Sequence, residues 1–352
     1  MKYVALIGLI LLFGVSVGSA QETTPPPPTP FAPPPPSYRQ TGFTYHAQWW
    51  NNCGPATVTT ALSYFGYTND QARAANWLKP NTEDKNVSPW QLEQFVNTQV
   101  TELPVTSLYR YGGTLDRLKL LISNNFVVMI ESGYDPERAN QGWMGHYLLV
   151  VGYDDMQQQV ITNDSYDGEG LAYSYAHVEE FWKHFNYMYF VIYNPAREAE
   201  LFALLGEDAD QRENYVNAFE IARDQATLNP ADAYAWFNMG SMLTELEQYE
   251  NATIAFDQAF ALGMPWRTTW YQFAPFEAYY AVGRYQDMLT MVDTLRDSSS
   301  DFVEEAFYYA GLARAALGET ERAITNFNAV LTFNPNFTPA REQIAQLSET
   351  TP

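Results

Sequence analysis

The apolar positions along the chain change their period twice, and each change marks a boundary. Between Pro55 and Gly66, Val58, Ala61, Leu62 and Phe65 fall at i, i+3, i+4 and i+7. Pro55 sits where a first-turn proline is tolerated and Gly66 supplies a stop, so the spacing predicts a helix opening at Cys53. Short helices are predicted over 69–78 and 89–98, the second entered through Ser88 as N-cap and Pro89 at the first position, and another over 113–121. The pattern then turns to unbroken apolar runs. Phe126 to Glu131 reads as a buried strand, His146 begins a second that ends at the turn Gly152-Tyr153-Asp154-Asp155, Val160-Ile161-Thr162 returns beside it, and Tyr189 to Tyr193 closes the set. Residues 132–144 read as a loop leading to His146 and overhanging a cleft.

Beyond about Ala199 the pattern becomes helical again and repeats near 34 residues. Tyr234, Trp236, Met239-Gly240, Tyr249, Ala252, Phe256 and Ala259 place small residues where paired helices touch and aromatic residues between them. Phe307, Ala310-Gly311, Ala323, Phe327 and Pro335 repeat the set, Phe327 standing 71 residues after Phe256, which is two repeats plus an insertion placed at Ser298-Ser299-Ser300. Intervening and preceding copies, the first suggested by Gly206, Tyr215, Ala218 and Pro230, make three to four units. The segment resembles a tetratricopeptide array, an all-α solenoid over 199–348 whose concave side would bind an extended peptide or a partner protein. A rigid spacer or a dimerisation surface is the plainer alternative. Trp266, Trp270, Tyr271, Phe273, Phe276, Tyr279 and Tyr280 crowd together and either line a pocket or pack between repeats.

The length of 352 residues suggests about two domains, and 46% hydrophobic composition is ample for their cores. With Lys+Arg 19 against Asp+Glu 41, the formal net charge of -22 argues against a nucleic-acid or anionic-membrane partner. It leaves at most a bias toward basic peptides. Residues 1–20 have Lys2, an apolar run from Val4 to Val17 and a small-residue Gly18-Ser19-Ala20 site, the pattern of an export signal, with an uncleaved anchor as the alternative; the expectation is a secreted or extracytoplasmic protein. Residues 21–39 are proline-rich and read as an extended polyproline II linker.

Composition changes the picture most at cysteine, because the chain has one. In an exported chain a lone Cys cannot close an internal disulfide, so a reactive thiol becomes the alternative to a small buried hydrophobe. At a helix start Cys53 would feel the positive end of the helix, which favours the thiolate. A thiol nucleophile needs a base and a group to orient it. The 146–164 hairpin brings Asp164 back to the level of His146, so a carboxylate lies beside an imidazole; Asp164 starting the turn toward Gly168, and His146 as a satisfied core histidine, remain open. His177 and His184 read as structural or solvent-facing. Cys53, His146 and Asp164 could ligate zinc by residue type, but no close ligand pair such as CxxC or HxxxH accompanies them, so neither metal nor cofactor is expected.

Gln48, Asn51-Asn52-Cys53-Gly54-Pro55-Ala56, Gly145-His146-Tyr147 with Val150-Val151-Gly152-Tyr153, and Asn163-Asp164 resemble the papain-like cysteine peptidases of the bacteriocin-leader-processing (double-glycine) type, in particular their stand-alone relatives. The resemblance covers residues 40–195 and implies an α+β papain-like domain. By position it implies Cys53 as nucleophile, His146 as general base and acid, Asp164 as orienting carboxylate and Gln48 as side-chain donor of an oxyanion hole. Gln48 stands five residues before Cys53 where the transporter-linked enzymes place it six before, and Ser165 follows Asp164 where they have Pro, which keeps Asn163 as an alternative orienter. The expected function is hydrolysis of a peptide or protein substrate, the repeats recruiting substrate or partner. A non-catalytic peptide-binding adaptor, and a transpeptidase or amidase acting on cell-wall peptide, are the competing readings.

Overall fold

One antiparallel sheet organises the first half of the chain, and its strands are the apolar runs. The structure is a computed structural model that describes residues 31–134, 142–299 and 302–350. The expected export signal (1–20) and residues 21–30 of the expected linker lie outside the described residues. In chain order the first half contains β1 (Ser37–Arg39), α1 (Cys53–Ser63), α2 (Gln71–Leu78), α3 (Pro89–Gln99), β2 (Thr106–Arg110), α4 (Leu115–Ser123), β3 (Val127–Tyr134), β4 (Met144–Asp154), β5 (Gln159–Asp164), β6 (Gly168–Ser174), α5 (Tyr175–Trp182) and β7 (Tyr189–Tyr193). The sheet runs β2-β7-β3-β4-β5-β6, with β1 pairing β4.

The runs are unbroken because helices cover both faces of the sheet. Val127, Met129, Leu149, Val151, Phe190 and Ile192 share a core with Val58 and Leu62 of α1 and with Leu92 and Phe95 of α3. Their neighbours Val128, Ile130, Val150 and Val191 share the opposite core with Leu118 and Leu121 of α4 and Trp182 of α5. Alternate residues of one strand thus bury on opposite sides, as the pleat requires, each full burial of such a side chain contributing roughly 1.5–3 kcal/mol.

Local chemistry sets the helix starts. Ser88 and Gln91 form a capping box ahead of Pro89, Asp70 accepts from the Ala72 N–H, and Thr114 accepts from the Arg117 N–H. Two boundaries differ from the sequence reading. The expected loop 132–144 begins later, since β3 continues to Tyr134 and pairs it with Met144. The expected linker 21–39 ends sooner: beyond Pro36 the chain regains backbone N–H groups, and Ser37–Arg39 pair with Gly152–Asp154 as β1.

The second half is helical: α6 (Glu198–Leu205), α7 (Gln211–Leu228), α8 (Ala233–Glu245), α9 (Tyr249–Leu262), α10 (Ala274–Ala281), α11 (Tyr285–Ser299), α12 (Glu304–Ala316), α13 (Thr320–Phe333) and α14 (Thr338–Thr350). Gly240 and Gly311 are small because aromatic rings lie on them: a Cβ would stand 2.8 Å from the Phe256 ring at the first and 2.5 Å from the Phe327 ring at the second. Among the described residues the main departure from the repeat falls before α10; Ser300 of the expected insertion at Ser298-Ser299-Ser300 lies outside them. Helix α9 stops at Gly263, which has φ of +99°, and the chain makes only a short 3-10 turn at Thr268–Trp270 before α10 begins. Ser299 instead completes α11 and is buried.

Pro33 to Pro352 form one compact unit, so the solenoid is docked on the sheet domain. Asn336 Nδ2 donates to the Trp77 carbonyl at 2.9 Å, the Lys85 N–H to the Phe302 carbonyl at 3.1 Å, and Asn238 Nδ2 to the Lys183 carbonyl at 2.8 Å. The segment before α10 joins in: Arg267 Nη1 donates to the Trp143 carbonyl at 3.2 Å and Gln272 Nε2 to the His184 carbonyl at 3.1 Å. Among the described residues no helix is long and apolar enough to cross a membrane.

Candidate active site

Cys53 is the first residue of α1, and the loop that delivers it is pinned from below by buried Gln71. Gln71 Oε1 accepts from Asn52 Nδ2 at 2.5 Å and from the Trp49 N–H at 3.1 Å, while its Nε2 donates to the Ala47 carbonyl at 2.8 Å. Asn51 takes a positive φ of 50°, turning the chain into the helix. Cys53 is half-buried and free.

His146 and Asp164 meet as buried partners across the β4–β5 ladder. Leu148 pairs with Asp164, so His146 lies two residues along, within diagonal reach. His146 Nε2 and Asp164 Oδ1 are 2.7 Å apart. The other ring nitrogen, Nδ1, is left for Cys53, with which His146 also hydrogen-bonds. Asp164 is completely satisfied: its Oδ1 also accepts from the Tyr166 and Asp167 N–H groups, and its Oδ2 accepts from the Tyr173 hydroxyl at 2.9 Å. It therefore both meets His146 and starts the turn. Asn163, the alternative orienter, points away and accepts from the Gly170 N–H at 3.1 Å, as alternation along a strand dictates.

These contacts polarise the three groups. Burial opposes a charge on His146, but the Asp164 carboxylate overrides it and carries the imidazole up to about 10. Burial likewise raises Asp164, and His146 with the two backbone N–H groups outweighs it, holding the carboxyl at about 2. For Cys53, burial pushes the thiol up; the hydrogen bond and charge of His146, together with the N–H groups of Tyr147 and Gly54, leave it below the ordinary thiol value.

Gln48 reaches the same cleft. Its N–H donates to the Ser165 carbonyl at 2.7 Å, and its Oε1 accepts from Ser165 Oγ at 2.9 Å. With the carbonyl end held, the amide nitrogen is the end left for the cleft. Gln48, Cys53, His146, Lys85, Tyr166 and Tyr271 are among the residues lining a cavity of about 340 Å³, with Trp49 and Trp50 exposed at its rim.

Sequence reasoning missed three contributors: Ser165, Gln71 and Tyr271. Ser165 was noticed only as a departure from Pro. Tyr271 belongs to an aromatic crowd that fits core packing as well as a pocket, and nothing local to Gln71 announces it. His184, expected to be structural or solvent-facing, is buried, stacks on Tyr234 at 3.9 Å and accepts from Trp143 Nε1 at 2.9 Å. Among the described residues no group of three His, Cys, Asp or Glu side chains is placed to hold a metal ion.

Residues 38–191 match the model of the Peptidase_C39 like family, and residues 233–262 match that of the tetratricopeptide repeat. No curated protein matches the chain. Among solved structures, MamA RS-1 ArsTM double mutant is 17% identical, with 43% of this chain and 84% of that one covered at a TM-score of 0.35. MamA 41-end from Desulfovibrio magneticus RS-1 is 16% identical over 43% of this chain and 94% of that one, with a TM-score of 0.32. The antiparallel sheet with its flanking helices thus spans the residues that match the Peptidase_C39 like model, and the helical array behind it contains those that match the tetratricopeptide-repeat model.

Proposed function

We propose that the protein is an exported cysteine peptidase in which His146 serves Cys53, and that the repeats recruit the substrate or a partner protein. The observation that carries this reading is the buried His146–Asp164 pair, 2.7 Å between Nε2 and Oδ1, lining the same cleft as Cys53. The raised imidazole and the lowered thiol both favour the thiolate–imidazolium form of the pair.

The thiolate attacks the carbonyl carbon of a peptide bond, and the oxygen that becomes negative is held by the amide nitrogen of Gln48 and the backbone N–H of Cys53. His146 gives its proton to the departing amine. It then takes a proton from water as that water attacks the thioester, restoring the thiolate when acid leaves. Asp164 keeps the ring oriented and its positive charge compensated throughout.

The test is incubation of the full chain and of its Cys53→Ala variant with a mixture of peptides, products being read by mass spectrometry. New peptide termini from the first and none from the second support hydrolysis. Joined peptides would instead indicate acyl transfer, and binding without any product would make the domain an adaptor.

A further inference from the structure

Behind Tyr271 lies a second, partly open cavity of about 280 Å³, lined by residues of both the sheet domain and the solenoid. Tyr271 lines both this chamber and the Cys53 cleft, so one ring separates them. Four carboxyl groups from four elements face the chamber: Glu131 of β3, Glu245 of α8, Glu277 of α10 and Glu305 of α12. No Lys or Arg is among its described lining residues.

The hydrogen bonds these carboxyls do receive come from neutral groups. Tyr147 donates to Glu131 at 3.2 Å, Tyr309 to Glu277 at 2.9 Å, and Asn86 to Glu305 at 3.3 Å. Glu305 is 4% exposed, and its Oε2 has no hydrogen-bond partner. A buried carboxyl oxygen left without a partner is costly, so the chamber leaves one hydrogen-bonding atom unmatched. Glu245 and Glu277 keep solvent-exposed surface where they line the chamber. Burial drives Glu277 up to about 7, and the charge of Glu245 adds to it, as expected where a counter-cation is missing.

A metal ion does not fit, since no three of these groups converge among the described residues. Spread acids around aromatic faces suit a longer organic cation: Phe273, Tyr308 and Tyr309 offer rings on which such a cation can lie. The volume lies just under the range of about 300–1,000 Å³ usual for whole small-ligand sites and is ample for a single long side chain.

We propose that the chamber is a specificity pocket for a cationic side chain, arginine or lysine, of the peptide bound at Cys53, entering past Tyr271. This rests on the peptide-binding part of the function proposed above, not on turnover. The solenoid then selects the substrate directly, through Glu277 and Glu305.

Calorimetric titration of the full-length Cys53→Ala protein tests it without requiring catalysis. The probes are acetyl-Gly-Gly-Arg-Gly-Gly-amide and its citrulline counterpart, which keeps the shape and loses the charge. The arginine peptide should bind about tenfold tighter or more, the scale of charged hydrogen bonds, and Glu277→Gln or Glu305→Gln should cut that preference several-fold while leaving citrulline binding unchanged. Glu277 is solvent-exposed, so its near-isosteric Gln variant keeps the test valid if Glu305→Gln folds poorly. Equal affinity for the two peptides, no binding of either, or a preference indifferent to Glu277→Gln would overturn the proposal. So would binding of free agmatine in place of the arginine peptide, which would give the chamber to a small free cation. Failure of hydrolysis in the peptide-mixture experiment, with this preference intact, would remove the peptidase reading alone.

Discussion

Tyr271 of the solenoid lies against Gly145, the residue before His146. A Cβ at Gly145 would stand 3.0 Å from Tyr271 Cδ1 and 2.7 Å from Phe185 Cζ. The Gly145 backbone also hydrogen-bonds Tyr271. A repeat-domain residue is thus built into the wall of the cleft, at the start of the strand that carries the imidazole. It arrives there because the chain leaves the regular repeat at Gly263 and runs across the sheet domain before α10 begins.

Gly145→Ala should therefore injure two things at once. Added bulk between packed rings typically costs about 1–3 kcal/mol, so the melting temperature should fall by several degrees in differential scanning calorimetry. Peptide turnover should fall as well, because the ring that must move away also walls the cleft. An unchanged melting curve would mean that the solenoid does not sit on β4 in solution.

The His146–Asp164 pair should shape stability at both ends of the pH scale. Asp164 is held at about 2, below its unfolded value of 3.8, so its contribution, about 2 kcal/mol, is present above pH 4 and disappears as pH falls through 2. His146 is raised from 6.5 to about 10, so its contribution is complete below pH 6.5 and is lost as pH rises through 10. Denaturant unfolding across pH should show a plateau between about pH 4 and 6.5, falling away on both sides. Asp164→Ala leaves a buried charge uncompensated and should cost about 3–5 kcal/mol near pH 6. Asp164→Asn keeps an acceptor for the ring but not the charge, and should move the alkaline limb of kcat/KM down by about one unit or more.

Ser165 should act on catalysis only through Gln48. Loss of an oxyanion donor in Gln48→Ala should reduce kcat about 10²- to 10³-fold, whereas Ser165→Ala, which merely frees the amide, should reduce it less. Once Gln48 is Ala, Ser165→Ala should change kcat no further. Independent losses in the double variant would refute this coupling.

Much of this arrangement was readable in the chain, and the parts that were not share a cause. The helix opening at Cys53, the strand beginning near His146 and the hairpin returning to Asp164 are local patterns, set by apolar period, Pro55 and a turn. The two-sided core explains why the strand runs were unbroken and easy to find. Gln71 and Tyr271 were invisible because their roles depend on contacts over long sequence separations: Gln71 reaches back to Ala47, and Tyr271 crosses from the repeats to Gly145. The departure before α10 was hidden for a related reason. A run of serines looks like a loop, but Ser299 is buried at the end of α11, while Gly263-Met264-Pro265 carries the real break. Departures from the family pattern proved informative too, since the residue replacing Pro after Asp164 holds the Gln48 side chain.

The most direct test of the central claim is the pH dependence of Cys53 alkylation by iodoacetamide, read by mass spectrometry on the full chain and on its His146→Ala variant. The account predicts an apparent pKa clearly below the ordinary value of about 8.5 for the chain and a return toward or above that value without His146. A thiol that titrates identically in both proteins, or reacts in neither, would contradict the thiolate–imidazolium pair and with it the proposed peptidase mechanism.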